Sequence, residues 1–326
     1  MVRMNPAQQS LPLLLSITKV WDQGEHQGLT DLLWFKDKMW IVFREADTHY
    51  ASKNGFIRVM SSSNGVVWDL KATLELDEWD LRDPKLSIMP NGKLMLLVGA
   101  SKYLSDKTRI DHCSLAAFSE DGEHFSTFQT LPLGDEWLWK VTWYQGVGYG
   151  VTYYWTNPQD RSAPWRTSLY QTVDGLNYEK ITDFLIPGHP NETTLRFLSD
   201  STMIALVRRD GKGERNAWIG TSAPPYEDWI WNETSYSIGG PDFLVIDDEE
   251  MIAAGRCLAL SPYGWFAKTA LWHMTKANLS PLLLLPTFGD TSYPGLLYEA
   301  PFLWMSYYSS HEGKSIVYLA KFHLSH

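Results

Sequence analysis

Charged and aromatic side chains of this chain recur where apolar, strand-like segments begin and end. Paired carboxylates at such places could cleave a glycosidic bond, because one protonates the leaving oxygen while the other acts at the anomeric carbon. Several arginines would select an anionic substrate, since a guanidinium binds a carboxylate through two parallel hydrogen bonds. The candidates at segment starts are Asp31, Asp83, Glu192, Asp242 and Tyr293. Those at segment ends or in adjacent loops are Arg44, Glu45, Asp47, His49, Arg82, Arg208 or Arg209, Arg256, Tyr307 or Tyr308, and His311.

The segments that must position these residues share one layout. Each reads as an apolar strand, a tight turn with Gly, Asp or Asn, and a second apolar strand. The pair Asn91-Gly92 between two apolar runs is the strongest of these hairpin signals. Segment starts recur about every 50 residues, a period typical of propeller blades. The six segments are residues 30–44, 82–100, 140–155, 192–209, 242–256 and 293–308.

A seven-residue phrase recurs between these hairpins: a hydroxyl residue, any residue, Asp or Asn, Gly, two residues and an aromatic. We predict that it closes the turn between the two outer strands of a blade. The acidic or amide side chain would accept backbone N–H groups, and the glycine would adopt the left-handed conformation. We therefore interpret the phrase as structural. It occurs at residues 62–68, 119–125 and 172–178, with a degenerate copy at 222–229.

These two repeated patterns predict an all-β fold, a six-bladed β-propeller with four-stranded antiparallel blades. One domain over residues 1–326 is the simplest organisation. Residues 11–21 and 315–322 read as additional strands before the first hairpin and after the sixth. Pairing these N- and C-terminal strands in one blade would close the ring and remove both exposed edges.

Composition restricts the function further. The chain of 326 residues has a net charge of −10 and no Lys/Arg-rich run, which argues against nucleic-acid binding. No stretch is long enough to span a membrane, and the apolar residues 11–17 precede no cleavage site. We expect a soluble, cytoplasmic protein, with export by a route lacking a cleaved signal left open. Its oligomeric state is also left open.

No cofactor or metal is expected from the sequence. The histidines are scattered and show no ligand spacing such as His-x-x-x-His. No glycine-rich phosphate loop leads from a strand into a helix. Hydrogen-bonded roles are the better interpretation for the histidines, and the ones whose loops should border a ligand cup are His49 and His311.

Two stretches, together with the repeats, resemble the sialidase (neuraminidase) superfamily of six-bladed propellers with Asp-box (BNR) repeats. Residues 191–195, followed by Arg208, resemble the family's Asn-Glu strand and one arginine of its carboxylate-binding triad. Residues 290–295 resemble the strand that bears its tyrosine nucleophile. The resemblance implies Tyr293 as nucleophile, Glu192 as the residue that activates it, and Arg208 and Arg256 as ligands of the substrate carboxylate.

The chain departs from the family on the first inner strand. The family has an Arg-Ile-Pro motif there, whereas this chain reads Gly28-Leu29-Thr30-Asp31. Arg44 and Arg82 are the candidates for the third arginine. The acid/base aspartate of the family lies in the loop after the first hairpin, where Asp47 is the match. Asp31, Asp83 and His311 are expected among the groups that contact substrate.

The leading prediction is a retaining, exo-α-sialidase-like glycosidase that acts on an acidic or decorated glycan, with carbohydrate as its partner. One alternative is a glycan-binding propeller without catalysis, in which tryptophans provide stacking platforms. A second alternative uses carboxylates only, with Asp31, Asp83 and Glu192 as base, modulator and acid. Retention of anomeric configuration would favour the tyrosine, and inversion the carboxylates. The candidate platforms are Trp139, Trp143, Trp155 and Trp165.

Overall fold

The computed structural model describes residues 11–157, 160, 162–211, 213–261 and 264–324. Within these residues, 24 β-strands form six four-stranded antiparallel sheets, and no helix occurs. The predicted all-β, six-bladed β-propeller is therefore confirmed. Nowhere among the described residues does a helix reach the length and apolar character that crossing a membrane requires.

The blades are numbered in the chain order of their innermost strands, which are given first below. Blade 1 contains β2 (His26–Phe35), β3 (Lys38–Ala46), β4 (Phe56–Ser62) and β5 (Asp69–Leu74). Blade 2 contains β6 (Asp80–Ile88), β7 (Leu94–Tyr103), β8 (Arg109–Ser119) and β9 (Gln129–Thr130). Blade 3 contains β10 (Trp137–Tyr144), β11 (Val147–Trp155), β12 (Trp165–Thr172) and β13 (Glu179–Phe184). Blade 4 contains β14 (Pro190–Phe197), β15 (Met203–Arg209), β16 (Asn216–Ser222) and β17 (Ile230–Ser237). Blade 5 contains β18 (Gly239–Val245), β19 (Met251–Ser261), β20 (Gly264–Met274) and β21 (Leu279–Leu284). Blade 6 contains β22 (Thr291–Glu299), β23 (Phe302–Ser309), β24 (Ile316–His323) and β1 (Leu13–Trp21).

The ring is closed as the sequence predicts. Strand β1 pairs antiparallel with β24 and so completes blade 6 from the two ends of the chain. The first strand of each blade also contacts the first strand of the next, from β2 through β6, β10, β14 and β18 to β22, which contacts β2 again. The six innermost strands therefore converge on one axis, and apolar residues pack between neighbouring blades.

The seven-residue phrase closes the turn between the third and fourth strands, and blade 2 gives the example. Asp121 Oδ1 accepts hydrogen bonds from the backbone N–H groups of Glu123 and His124, both at 2.8 Å. Ser119 Oγ accepts from the N–H of Gly122 at 2.8 Å, and this glycine has a φ of +81°. The other two complete copies make equivalent hydrogen bonds. The phrase therefore contributes to turn geometry, as predicted.

The degenerate fourth copy closes the β16–β17 turn with different contacts. Ser222 Oγ donates to the carbonyl of Asp228 at 2.5 Å, whereas in the complete copies this hydroxyl donates to the Asp or Asn side chain and accepts from the glycine N–H. Tyr226 has a positive φ of 69°. Its carbonyl accepts a hydrogen bond from Trp229 Nε1 at 3.0 Å. The turn is thus preserved without the glycine.

The first strand of every blade is irregular at the same place. Two consecutive residues there face a single residue of the second strand, which is the geometry of a β-bulge. Because a bulge bends the strand and re-aims its side chains, these six positions determine what the innermost strands present around the axis. The six bulged pairs are Leu29–Thr30, Asp83–Pro84, Trp139–Lys140, Asn191–Glu192, Gly240–Pro241 and Tyr293–Pro294.

A buried ionic network joins several blades near the axis. Lys140 Nζ lies 2.9 Å from Asp31 Oδ1 and 3.1 Å from Asp242 Oδ2. Arg196 pairs with the other oxygen of Asp242 at 2.7 Å. Asp31 also accepts a hydrogen bond from the N–H of Leu86 at 2.9 Å. Each buried charge therefore has a partner on another blade, as burial of ionised groups requires.

Replacement of Lys140 by methionine should destabilise the propeller, since Asp31 and Asp242 would lose their shared cation. Breaking a buried ion pair by removing one partner should lower the free energy of unfolding by about 3–5 kcal/mol. The exposed pair of Lys93 and Glu120 offers a matched control. Lys93→Met should change the free energy of unfolding by less than about 1 kcal/mol. Denaturant unfolding measures both, and equally small losses would contradict a stabilising role for the axial network.

Candidate active site

The bulges of β14 and β22 bring Glu192 and Tyr293 together. Glu192 lies in the bulge of blade 4, and Arg208 on β15 is the single residue opposite that bulge. Tyr293 lies in the bulge of blade 6 with a φ of +50°, a conformation uncommon for a residue with a large side chain. The two side chains therefore meet through backbone geometry, although they are 101 residues apart in the sequence.

Glu192, Tyr293 and Arg208 form one hydrogen-bonded group. The hydroxyl of Tyr293 donates to Glu192 Oε1 at 2.7 Å. Arg208 donates to the same carboxylate oxygen at 2.5 Å and to the hydroxyl of Tyr293 at 3.2 Å. The backbone N–H of Gly240, in the bulge of blade 5, donates to Glu192 Oε2 at 2.7 Å. Both oxygens of this buried carboxylate are thus engaged.

The surroundings shift the pKa values of this group apart. Burial opposes ionisation of Glu192, but the charge of Arg208 and the hydrogen bonds from Tyr293, Arg208 and Gly240 outweigh it and lower its pKa. Burial, followed by the nearby charge of Glu192, raises the pKa of Tyr293 well above that of a free phenol. The group therefore presents an ionised base in contact with a protonated phenol, which can serve nucleophilic catalysis.

Three arginines surround the phenol. Arg208 comes from blade 4, Arg256 from blade 5 and Arg82 from blade 2. The guanidinium of Arg256 lies 5.4 Å from the ring centroid of Tyr293. Arg82 donates to the backbone carbonyl of His49 at 2.9 Å. Each guanidinium interacts electrostatically with Tyr293, so the site is positively charged around a central hydroxyl.

Asp83 is the carboxylate on the side of the site formed by blade 2. It lies in the bulge of β6, with a φ of +48° and only 8% of its surface exposed. Burial raises its pKa, the charge of Arg82 acts in the opposite direction, and the charge of Glu192 adds to the increase. Asp83 and Glu192 are therefore close enough to influence each other's ionisation.

A cavity of about 440 Å³ contains these groups. This volume is in the range of small-ligand sites. Its charged side includes Arg82, Asp83, Glu192, Arg208 and Arg256. A hydroxyl, carboxylates and guanidiniums thus converge on a space that could hold a sugar residue.

Blade 3 contributes an aromatic wall to the cavity, formed by Trp137, Tyr153, Trp155 and Trp165. The rings of Tyr153 and Trp165 stack with an interplanar angle of 9° and centroids 6.3 Å apart. Trp155 ends β11 and Trp165 begins β12, so the hairpin places them next to each other. Such a wall suits the apolar face of a sugar ring.

Two of the four tryptophans that the sequence offered as platforms lie elsewhere. Trp139 is fully buried in the core, with its ring 5.9 Å from that of Tyr293. Trp143 packs on another core cluster and donates to Ser87 Oγ at 3.2 Å. The sequence criterion, proximity to blade 3, does not distinguish the rim of a blade from its interior.

His26, His49 and Asp290 form a second polar cluster at the edge of the site. Asp290 Oδ2 lies 2.6 Å from His49 Nδ1 and 3.0 Å from His26 Nε2. These three ligand atoms lie within 4.8 Å of one another, the spacing of a possible cation site. The atoms already bond to one another, however, and Arg256 lies 3.9 Å from Asp290, which disfavours a second cation. The geometry therefore favours a hydrogen-bonded cluster.

Two predicted substrate contacts are buried structural groups instead. Arg44 is fully buried, pairs with Asp80 at 2.7 Å and donates to the carbonyl of Thr48 at 2.7 Å. Asp31 is 1% exposed and belongs to the axial network with Lys140. Both side chains pair with buried partners on other blades, and neither lines the cavity.

Two further predicted residues also lie outside the cavity. Asp47, the predicted acid/base, directly follows β3, and its side chain is exposed. His311 contacts Ser309 Oγ at 3.0 Å, and its ring packs on Tyr318. In the loop after β3, the residue that lines the cavity is His49, two residues after Asp47.

Sequence reasoning missed the contributions of Asp290, His26 and Tyr153. Asp290 belongs to the stretch that pointed to Tyr293. It is far from His26 and His49 in the sequence, so the sequence did not indicate its contacts with them. His26 begins β2 and Tyr153 lies near the end of β11. His26 precedes the predicted start of the first hairpin at residue 30, and Tyr153 lies two residues before the predicted end of the third at residue 155.

Comparison with known proteins gives structural neighbours only. No protein-family model matches the chain, and no curated protein matches it in sequence. A protein of unknown function from Dyadobacter fermentans is similar in structure, with a TM-score of 0.81 and 14% identity. The similarity covers 96% of this chain and 99% of that protein. The two proteins therefore share one fold over almost the whole of this chain, and this neighbour gives no information on activity.

Two neighbours are named as glycoside hydrolases. The sialidase of Trypanosoma rangeli, in complex with sialic acid, has a TM-score of 0.68 and 12% identity over 94% of this chain and 57% of that one. A mutant of the α-L-arabinofuranosidase arb93a of Fusarium graminearum, in complex with an iminosugar inhibitor, has a TM-score of 0.65 and 13% identity. That similarity covers 95% of this chain and 98% of that one. At these identities the neighbours establish a shared fold.

Replacement of Gly240 by alanine should disturb the site directly. A Cβ there would lie 2.6 Å from Cγ of Tyr293, and the φ of Gly240 is +58°. Gly92 is a matched control, because its φ is +81° and no atom lies within 4 Å of the added Cβ. Both substitutions should cost about 1–2 kcal/mol for the left-handed backbone. Only Gly240→Ala should cost about 1–3 kcal/mol more through overpacking.

Denaturant unfolding and a crystal structure of each variant test this expectation. The Tyr293 ring should move in Gly240→Ala and stay in place in Gly92→Ala. Equal losses of unfolding free energy, with Tyr293 unmoved in both, would show that the glycine is not needed for the position of the phenol.

Proposed function

We propose that this protein is a retaining glycoside hydrolase for glycosides that carry an acidic group. Tyr293 would be the nucleophile and Glu192 its base, with Arg82, Arg208 and Arg256 binding the substrate anion. The observation that supports this most directly is the 2.7 Å hydrogen bond from the Tyr293 hydroxyl to Glu192. Named neighbours of the same fold, a sialidase and an arabinofuranosidase, are consistent with glycoside chemistry.

Tyr293 can act as a nucleophile because neighbouring residues can accept its proton and stabilise the charge that develops. With its pKa raised, Tyr293 is a weak nucleophile unless a base removes the proton during attack. Glu192 is ionised and already holds that proton in a hydrogen bond. As the oxygen of Tyr293 bonds to the anomeric carbon, its proton passes to Glu192, and Arg208 at 3.2 Å stabilises the developing charge. A neutral phenol also avoids the repulsion that a carboxylate nucleophile would meet beside an anionic substrate.

The three arginines support an acidic substrate. In blade 2, Arg82-Asp83-Pro84 is an Arg-x-Pro sequence at a bulge, which resembles the Arg-Ile-Pro motif expected in blade 1. We infer that Arg82 takes the place of the missing first-blade arginine, while Arg44 is committed to Asp80. A carboxylated sugar, such as a sialic or uronic acid, is the substrate class that fits this charge.

The carboxylate-only alternative has less support. It requires Asp31, Asp83 and Glu192 to act on one substrate, but Asp31 is bound to Lys140 and lies outside the cavity. The glycan-binding alternative would use the same cavity and arginines without turnover. It differs from the proposal only in the outcome of an activity measurement.

Loss of either member of the central pair should abolish turnover. Tyr293→Phe and Glu192→Gln should each lower kcat/KM by about 10³-fold or more on an active aryl sialoside or uronide. Tyr307→Phe is the matched control, because Tyr307 is buried in the same blade, opposite the bulge of Tyr293 and outside the cavity. Product analysis by NMR should show retention of configuration.

Wild-type turnover that survives both substitutions would contradict the roles of Tyr293 and Glu192. Inversion of configuration would instead favour a water flanked by carboxylates. Glycan binding without hydrolysis of any sialoside or uronide would support the glycan-binding alternative.

Arg256→Gln should weaken the binding of acidic substrates specifically. Removal of one bidentate partner of a carboxylate should raise KM by about 10- to 100-fold. The exposed Arg166, on β12 and outside the cavity, is the control, and Arg166→Gln should leave KM unchanged. Steady-state kinetics with a uronide and its neutral, carboxyl-reduced analogue separate a loss of carboxylate recognition from a general loss of activity. An equal loss on both substrates would show that Arg256 does not recognise the carboxylate.

A further inference from the structure

A retaining mechanism also needs a group that protonates the leaving oxygen and later activates water. Asp47, predicted for this role, lies outside the cavity. We propose that His49 is this acid/base group and that Asp290 is the residue that orients it. The inference rests on the proposed function, because it assigns a further role in the same reaction.

His49 borders the cavity that contains Tyr293 and is partly exposed to solvent. It lies in the loop between β3 and β4, lines the cavity and has 38% of its side chain exposed. Arg82 on β6 donates to its backbone carbonyl at 2.9 Å, which fastens this loop to blade 2. The imidazole is also near Asp83, since its charge acts to lower the pKa of that carboxyl. His49 thus borders the same space as the Tyr293–Glu192 pair.

Asp290 is held as an ionised acceptor. Its Oδ2 faces His49 Nδ1 at 2.6 Å and His26 Nε2 at 3.0 Å, while Tyr308 donates to Oδ1 at 2.8 Å. Burial of Asp290 opposes ionisation, but the hydrogen bonds from His26, His49 and Tyr308 outweigh it and keep its pKa far below the ordinary value. An ionised carboxylate only accepts hydrogen bonds. Both facing ring nitrogens must therefore carry a proton.

This requirement determines the tautomer of His49. With its proton on Nδ1, the nitrogen that gains and loses a second proton is Nε2. In the part of the chain that the structure describes, Nε2 has no hydrogen-bond partner. A carboxylate on Nδ1 orients an imidazole and stabilises its protonated form. The Asp290–His49 pair has the geometry of an oriented acid/base group.

The two histidines on Asp290 differ in the environment of their rings. Burial lowers the pKa of His26, so this ring remains neutral and contributes a hydrogen bond from Nε2. His49 is the more exposed of the two, with 38% of its side chain accessible against 13% for His26. Only the more exposed ring can readily exchange its second proton with water.

The same argument favours His49 over Asp83. An acid/base group must give a proton to the leaving oxygen and take one from water in every turnover. Burial raises the pKa of Asp83 and so favours its protonated form, but at 8% exposure this carboxyl is much less accessible to water than His49, which has 38% of its side chain exposed. The titratable and charged groups around His49 are His26 of β2, Arg82 and Asp83 of β6, Asp290 before β22 and Tyr50 of its own loop. Tyr308 of β23 contacts His26 and Asp290.

The chemical step balances as follows. Tyr293 Oη forms a bond to the anomeric carbon and gives its proton to Glu192. The bond from that carbon to the leaving oxygen breaks, and the leaving oxygen keeps the electron pair and takes the proton from His49 Nε2. In the second half, neutral His49 removes a proton from water, whose oxygen bonds to the anomeric carbon. The bond to Tyr293 then breaks, and its oxygen recovers the proton from Glu192.

His49→Asn tests this role, because the asparagine amide can still donate to Asp290 but has no Nε2. We expect the loss to depend on the leaving group. With methyl α-sialoside or methyl β-glucuronide, kcat/KM should fall by about 10²- to 10³-fold. With the corresponding 4-nitrophenyl glycosides, it should fall by less than about 10-fold, since 4-nitrophenolate leaves without a proton. His311→Asn is the matched control and should leave both rates unchanged, because His311 lies outside the cavity.

Three results would overturn the proposal. The first is a loss of equal size on both kinds of glycoside, which would indicate a structural role for His49. The second is a leaving-group-dependent loss in Asp83→Asn but not in His49→Asn, which would assign the donor to Asp83. The third is activity that disappears with a chelator and returns with zinc, which would make the His26–His49–Asp290 cluster a metal site.

Nitrogen-15 NMR of the histidine rings supplies a readout that does not need turnover. His49 should carry its proton on Nδ1. The resonance of this proton should lie downfield, be absent in His49→Asn and be shifted in Asp290→Asn. A neutral His49 protonated on Nε2 would overturn the inference whatever the enzymatic activity. A wild-type protein with the expected tautomer but no hydrolysis, or one that does not need Tyr293, would instead overturn the proposed function.

Discussion

The β-bulge in the first strand of every blade is the constraint on which the rest of this structure depends. Side chains of a regular strand alternate between two faces, and in a propeller both faces are covered by neighbouring blades. At each bulge two residues share one partner, so a side chain can leave this alternation and turn toward the axis. Asp83, Glu192 and Tyr293 all occupy bulges. The backbone accepts this at a local cost, visible in the positive φ of Asp83 and Tyr293.

Burial of charged side chains is a second constraint on this structure, and two arrangements of charge satisfy it. Near the axis, Lys140 serves two carboxylates, and each charge is paired within the ring. Around Tyr293 the positive charges of Arg82, Arg208 and Arg256 converge on one cavity, so part of their field remains directed at its contents. The first arrangement stabilises the ring. The second would favour an anionic ligand, as the proposed function requires.

Sequence patterns predicted the blades and the ring closure, because both depend on local signals repeated along the chain, and the family resemblance implied the pair of Tyr293 and Glu192. They failed where the outcome depends on register or on a distant partner. Asp31 and Asp83 both begin inner hairpins, yet Asp83 lies within a bulge and Asp31 directly after one. Arg44 and Arg256 occupy equivalent rungs, opposite Gly28 and Gly239. Arg44 nevertheless turns to Asp80, a partner that only the packing of two blades provides.

Asp290 accepts hydrogen bonds from two imidazoles and also lies 3.9 Å from the guanidinium of Arg256. Any anion that draws Arg256 toward itself removes positive charge from the vicinity of this carboxylate and adds negative charge nearby. Both changes make it easier for a neighbouring imidazole to take up a proton from solvent. Occupancy of the cavity by the proposed anion and protonation at its edge would therefore be linked equilibria, each strengthening the other by the same free energy. Through this one carboxylate, the affinity of the protein for that anion would depend on the pH of the medium.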